Sequence, residues 1–185
     1  MITGFSLSAQ TETIETSENK PRYFNNFLAG ALLGEEGKGT GVSLSTTHGV
    51  RLKRWTLGAG VGFDSYLNWK AVPVFGSIGF DFANIKRNAV FLQFNAGYSN
   101  ARIVNRNNQQ WVSDYRDYGS EMISSLIGYR IAAEKFSLYI MAGHKFQRAH
   151  YSYNPEPWRS SYPATKISVE ENMNRLVVQI GFGLH

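Results

Sequence analysis

Apolar and polar residues alternate one for one along most of this chain, and that two-residue period is the mark of a half-buried β-strand. The C-terminal segment shows it best. Leu176, Val178, Ile180, Phe182 and Leu184 fall on one face, opposite Arg175, Val177, Gln179, Gly181, Gly183 and His185. The same rhythm runs through Phe136–Gln147, Ile123–Ile131, Val90–Ser99, Val72–Phe82, Trp55–Tyr66 and Gly41–Leu52. A first strand over Tyr23–Leu33 is less clean, and its faces are left unassigned. The pattern therefore predicts eight strands. They exceed the five or six residues typical of soluble sheets and reach the roughly 9–11 that a tilted membrane-spanning strand needs.

The connections carry a second rhythm. Lys53-Arg54, Asn84 to Asn88 and Ala132 to Lys135 are short, while Leu67 to Lys70 and the long stretches 103–118 and 148–170 lie between them. Short turns on one side and longer loops on the other is the habit of outer-membrane barrels. An even strand count brings both chain ends to the short-turn side.

Alternation alone leaves open which face is outside. A lipocalin-like soluble carrier is also an eight-stranded up-and-down barrel, with its apolar face inward. Three features point the apolar face at lipid instead. The polar face is rich in glycine (Gly58, Gly60, Gly62, Gly79, Gly97, Gly128, Gly143, Gly181 and Gly183), which suits a crowded eight-stranded lumen. Charges on that face sort by height: Arg51, Asp81 and Arg130 toward the short turns, Asp64, Lys145 and Arg175 toward the loops. Each group sets one carboxylate against two cations, so pairing inside the lumen is expected, because unpaired buried charge is costly. Aromatics gather near strand ends, with Trp55, Phe82, Phe136 and Phe182 at one level and Phe63, Tyr98, Phe146 and Trp69 at the other, as interfacial girdles would. The expected fold is all-β: an eight-stranded antiparallel up-and-down transmembrane β-barrel with its lumen filled by side chains.

Composition narrows the class further. Charged residues are only 18% and aromatics 14%, with 18 glycines. No run of 18 or more apolar residues exists to form a transmembrane helix. A mean hydropathy of −0.28 remains compatible with a barrel, whose strands show lipid only every second residue. The absence of cysteine removes disulfides, thiol catalysis and cysteine metal sites. The net charge of +5 is not gathered into the run or helical stripe that nucleic acid would require, so anionic lipid or lipopolysaccharide phosphate is the better-matched partner. Residues 1–22 stand apart from a barrel domain over 23–185. Met1 to Gln10 reads as the tail of a secretory signal peptide, with small Ser8 and Ala9 before Gln10, and Thr11 to Arg22 is a polar lead-in.

The glycine-rich segments Leu57-Gly-Ala-Gly-Val-Gly-Phe63 and Gln179-Ile-Gly-Phe-Gly-Leu184 give this pattern a family likeness. From about Tyr23 to His185 the chain resembles the small outer-membrane β-barrel proteins of Gram-negative bacteria. The likeness is to the OmpA-transmembrane-domain kind, in the versions common in Bacteroidetes-type bacteria. The resemblance implies a bacterial outer-membrane location among lipid, lipopolysaccharide and other outer-membrane proteins. Such barrels usually end on an aromatic residue, and here the last residue is His185.

Candidate chemistry is sparse. No phosphate-binding glycine loop, zinc-protease motif, nucleophile elbow or calcium loop is present. His48, His144, His150 and His185 are too far apart in sequence for a local metal pair, so no metal or cofactor is expected. His150-Tyr151-Ser152 on the seventh strand, with Glu170 and Glu171 at the start of the eighth, resembles the serine, histidine and glutamate set of outer-membrane lipid A deacylases. A serine nucleophile needs such a base and an orienting carboxylate. The family's usual asparagine after the serine is Tyr153 here. The long loops offer the other lead. Arg106, Trp111, Tyr115 and Arg116 in 103–118, and Arg148, Tyr153, Trp158 and Arg159 in 148–170, are residue types that dominate binding surfaces. The preferred reading is a non-enzymatic barrel that is structural or binds a partner or ligand through those loops, with lipid A deacylation as its alternative.

Overall fold

The computed structural model describes residues 20–34, 39–103, 112–155 and 166–184. Eight antiparallel strands close into a barrel in simple sequence order: β1 (Arg22–Leu33), β2 (Gly41–Leu52), β3 (Trp55–Ser65), β4 (Trp69–Ile85), β5 (Asn88–Ile103), β6 (Val112–Ala132), β7 (Phe136–Pro155) and β8 (Ile167–Leu184). β8 returns to pair with β1, so the ring has no free edge through the belt. That closure is what an unsolvated environment demands, since backbone groups facing hydrocarbon have no water to bond.

The period of two resolves into two environments. Outward-facing side chains are apolar and exposed, including Leu57, Val74, Ile127, Leu176 and Ile180, the last 63% exposed. Inward-facing ones are polar, small or aromatic, including Ser43, Thr47, Asp64, Asp81, Asn95, Ser99, Gln147 and Gln179. This is the inverse of a lipocalin, and the outward surface is a lipid-facing belt. Glycine makes the narrow lumen possible at two points. A Cβ on Gly60 would stand 2.5 Å from the ring of Phe75, and one on Gly128 would stand 2.5 Å from the ring of Phe91. The two rings therefore fill space that those glycines leave empty.

The strands at the loop end are longer than the sequence pattern indicates. Much of 103–118 and 148–170 is strand: β6 begins at Val112, β7 runs to Pro155 and β8 starts at Ile167. Alternation there is masked because the outward face turns polar, with Arg148, His150, Ser168, Glu170 and Asn172, so the two-residue period loses its contrast. Trp69 also departs from expectation. It opens β4 and is 3% exposed, turned into the core rather than toward a girdle. The result is a slanted mouth. β1, β2 and β3 have 12, 12 and 11 residues, whereas β6, β7 and β8 have 21, 20 and 18.

Depth in the belt should be readable by substitution. Ile180→Arg should cost about 2–4 kcal/mol of folding stability in vesicles, the figure for a cation near mid-bilayer. Ile167→Arg, at the loop end of the same strand, should cost under about 1 kcal/mol. Urea titration of folding into lipid vesicles measures both.

Candidate functional site in the lumen and at the loop-end rim

Two charge layers cross the lumen. Toward the short turns, Arg130 grips Asp81 with both ends of its guanidinium: Nη1 donates to Oδ1 at 3.2 Å and Nη2 to Oδ2 at 2.6 Å. A register shift between Asp81 and Ala83 bends β4 at this point, and the Asp81 amide donates to the Arg54 carbonyl at 2.8 Å. A bulge of this kind re-aims one side chain. Arg51 lies in the same layer, its guanidinium carbon 5.8 Å from the Phe24 ring centre. Toward the loops, Asp64 is wholly buried and accepts from Ser43 Oγ at 2.7 Å and from Lys145 Nζ. Arg175 lies over the Tyr66 ring at 5.5 Å. The structure thus brings Arg51, Asp81 and Arg130 to one level and Asp64, Lys145 and Arg175 to another.

Neutral hydrogen bonds fill the rest of the upper lumen. Tyr66 Oη donates to Gln147 Oε1 at 3.1 Å, and Gln147 Nε2 donates to Ser99 Oγ at 2.6 Å. Lower down, Asn95 Nδ2 donates to Ser124 Oγ at 2.9 Å. Two cavities among these side chains measure about 20 and about 10 Å³. Each is near the space of a single water molecule.

Above the upper layer the lumen is capped by aromatics. Trp69 and Tyr151 have ring centres 5.8 Å apart, and Tyr151 stacks on Tyr153 at 6.1 Å and 13°. Trp69 Nε1 donates to Glu171 Oε2 at 2.8 Å. On the outer side of the same wall Arg148 bridges two strands, meeting Glu121 at 2.8 Å and Glu170 at 2.7 Å, with His150 Nε2 at 3.7 Å from Glu170. Glu121 is held below the usual glutamate range, chiefly by the hydroxyl of Ser120 that donates to it and also by its own backbone N–H and nearby Arg148.

Of the deacylase set, His150 and Glu170 stand opposite each other in register and in contact. Glu171 is taken up by Trp69. Ser152 is 2% exposed, and its Oγ has no hydrogen-bond partner, so the structure does not join the hydroxyl to the imidazole. Of the binding residues, Arg116, Arg148 and Tyr153 sit on β6 and β7 rather than on loops. Tyr115 lies in β6, where only the backbone is described, and Arg106, Trp111, Trp158 and Arg159 lie outside the described residues.

Sequence reasoning missed Lys70 and Arg102. They face each other across β4 and β5 in register, both exposed on the outer surface at the loop end. Their parity with Val72 and Tyr98 places them outward, but only a known strand register could have paired them. It also missed Glu121, Trp69 and Gln147, whose partners come from distant strands.

No protein-family model matches the chain, and no curated protein matches it. Solved structures do. The chain is similar to the outer membrane protein OprG from Pseudomonas aeruginosa, with a TM-score of 0.59 and 13% identity over 90% of this chain and 96% of that one. It is similar also to Neisserial surface protein A, NspA, with a TM-score of 0.60 and 14% identity over 90% of this chain and 99% of the other. At such identities the likeness is one of fold: the chain has the eight-stranded barrel of bacterial outer-membrane proteins.

Two outcomes follow from the charges. Asp81→Asn strips Arg130 of its counter-charge inside the barrel and should destabilise folding by about 3–5 kcal/mol, the range for breaking a buried pair. Replacing both residues, Asp81→Leu with Arg130→Met, should recover most of that in the same denaturant titration. At the rim, Glu121 gains stabilisation only while ionised, so its share is present above the ordinary glutamate pKa and lost as pH falls through its lowered value. Carboxyl ¹³C NMR should find it titrating below an exposed glutamate, and Ser120→Ala should move it back up.

Proposed function

We propose that this chain is a bacterial outer-membrane protein that works by binding at its loop-end wall, with the barrel interior as a solid support. The observation that carries this reading is the unequal height of the barrel: β6, β7 and β8 continue past the ends of β1–β3 as a three-stranded wall bearing aromatics, arginines and carboxylates. Outer-membrane barrels turn their longer loops to the outside of the cell, so the wall is extracellular in this reading. The filled lumen argues against transport through the middle, since the two cavities described among its side chains, about 20 and 10 Å³, admit no solute.

Lipopolysaccharide is the ligand class we favour. Lys70 and Arg102 place two like charges directly across from one another, an arrangement that is unfavourable by itself. A phosphate group between them would reverse the sign of that term, and lipid A carries its phosphates at the level of the outer rim. Arg148, shared by two glutamates, adds a polar surface at the same level.

Removing both cations, Lys70→Gln with Arg102→Gln, should weaken binding of purified lipopolysaccharide about tenfold, equivalent to roughly 1.4 kcal/mol. Unchanged binding would remove this site from the reading. Planar bilayers containing the protein should show no steady conductance steps, and a persistent ohmic pore would overturn the solid-support role.

Contact between His150 and Glu170 keeps lipid A deacylation as the second reading. Mass spectrometry of lipid A from cells making the protein decides it: an acyl chain lost with Ser152 present and kept with Ser152→Ala would establish the enzyme.

A further inference from the structure

We infer that the outer surface of β1, β2 and β3 is a binding site for a glycerophospholipid of the leaflet on the short-turn side. The site lies in the belt on β8 and β1–β3, shares no residue with the binding site proposed at the loop end, and stands or falls independently of it. An apolar groove, a polar row and a cationic turn lie on this surface, the three kinds of chemistry that such a lipid presents.

The first is an apolar groove of about 570 Å³, running over β8, β1, β2 and β3 between Phe27, Leu44, Val61, Phe63, Ile180 and Phe182. Ala29 and Thr46 form its floor, because neither side chain is large enough to fill the space between its neighbours. Phe27 and Phe182 stand together at its lower side, ring centres 5.3 Å apart.

At the lower side of the groove a polar row breaks the apolar belt, which resumes at Val50 and Leu52. On β2 the outward residues are Val42, Leu44, Thr46, His48, Val50 and Leu52, so Thr46 and His48 interrupt an aliphatic run. On β1, Asn25 is opposite His48 and Tyr23 is opposite Val50. The four polar side chains are joined: Tyr23 Oη lies 2.6 Å from His48 Nδ1, Thr46 Oγ1 lies 3.4 Å from His48 Nε2, and Thr46 Oγ1 donates to Asn25 Oδ1 at 3.4 Å. Polar groups on a lipid-facing surface are costly and mark function more often than chance placement. Such groups can bond the ester oxygens of a lipid seated in the groove, which are hydrogen-bond acceptors.

The third element is cationic. The β2–β3 turn below carries Lys53 and Arg54, both exposed, while Lys86 and Arg87 lie in the β4–β5 turn. Lys53 and Lys86 hold φ of 54° and 58°, a left-handed conformation that glycine or asparagine adopts at lower cost. Lys53, in the β2–β3 turn, puts its charge beneath the site, and a phosphate is the anion available at that level of a membrane. A second outward groove of about 490 Å³, near Trp55, Ile78, Leu92, Phe94, Ile127 and Ala142, has no hydrogen-bonded polar row of this kind among the described residues. It serves as the control.

The test is native mass spectrometry of the full chain released from outer membranes in mild detergent, followed by competition with phosphatidylglycerol in mixed micelles. The wild-type protein should retain one glycerophospholipid per barrel. Ala29→Trp, which fills the groove, should lower its occupancy at least about tenfold, while Ala142→Trp in the control groove leaves it unchanged. Tyr23→Phe, which removes one hydroxyl and no bulk, provides a variant that folds even if Ala29→Trp does not, and should lower occupancy severalfold. Equal retention in wild type and Tyr23→Phe, equal loss from both grooves, or retention of lipopolysaccharide in place of a glycerophospholipid would each overturn the inference.

Discussion

Closure of eight strands into one ring is the constraint from which the rest follows. A ring spanning hydrocarbon leaves no backbone group unpaired, and with only eight strands its interior is barely wider than the side chains that enter it. Each inward residue must therefore be small or must find a neighbour of complementary shape. Gly60 opposite the Phe75 ring and Gly128 opposite the Phe91 ring are solutions to that problem. So is the polarity of the lumen, because the lipid-facing positions use most of the apolar side chains available.

Charge inside such a space has few acceptable arrangements. Asp81 and Asp64 each sit at the centre of a layer, one gripped by Arg130 and the other by Lys145 with Ser43. The second cation of each layer, Arg51 below and Arg175 above, rests on the face of Phe24 or Tyr66, where an aromatic ring offers a partly negative surface. Both layers also tie strands that are far apart in sequence, so they hold the barrel's cross-section as well as its charge balance.

Parity carries most of what is legible in the sequence. A residue's side of the wall follows from counting by two, so the inward placement of Asp64, Asp81, Arg130 and Lys145 can be read from the alternation alone. Height is legible too, from distance to the nearest turn. Pairing across the wall is not, because it depends on register, and register is set by turns and bulges such as the one at Asp81–Ala83. The outer segments escape for a different reason. Where β6, β7 and β8 rise past the other strands, the outward positions of β8 are the polar Ser168, Glu170 and Asn172 in place of the apolar Leu176 and Val178 further down. Trp69 escapes because an aromatic at a strand end suits an interfacial girdle and a luminal cap equally well.

The barrel is joined unequally on the two sides of its last strand. β8 runs against β7 for eighteen residues, from Phe136 opposite Leu184 to Tyr153 opposite Ile167, but against β1 for only nine, from Asn25 to Leu33. Among the described residues the joint that makes the ring a ring thus has half as many pairs as its neighbour on the other side of β8, and it is the weaker of the two seams. The groove formed by Phe27, Ala29, Ile180 and Phe182 lies directly over that joint. A molecule seated there touches both lips of the seam at once and acts as a clasp, coupling the composition of the surrounding membrane to the ease with which the cylinder closes.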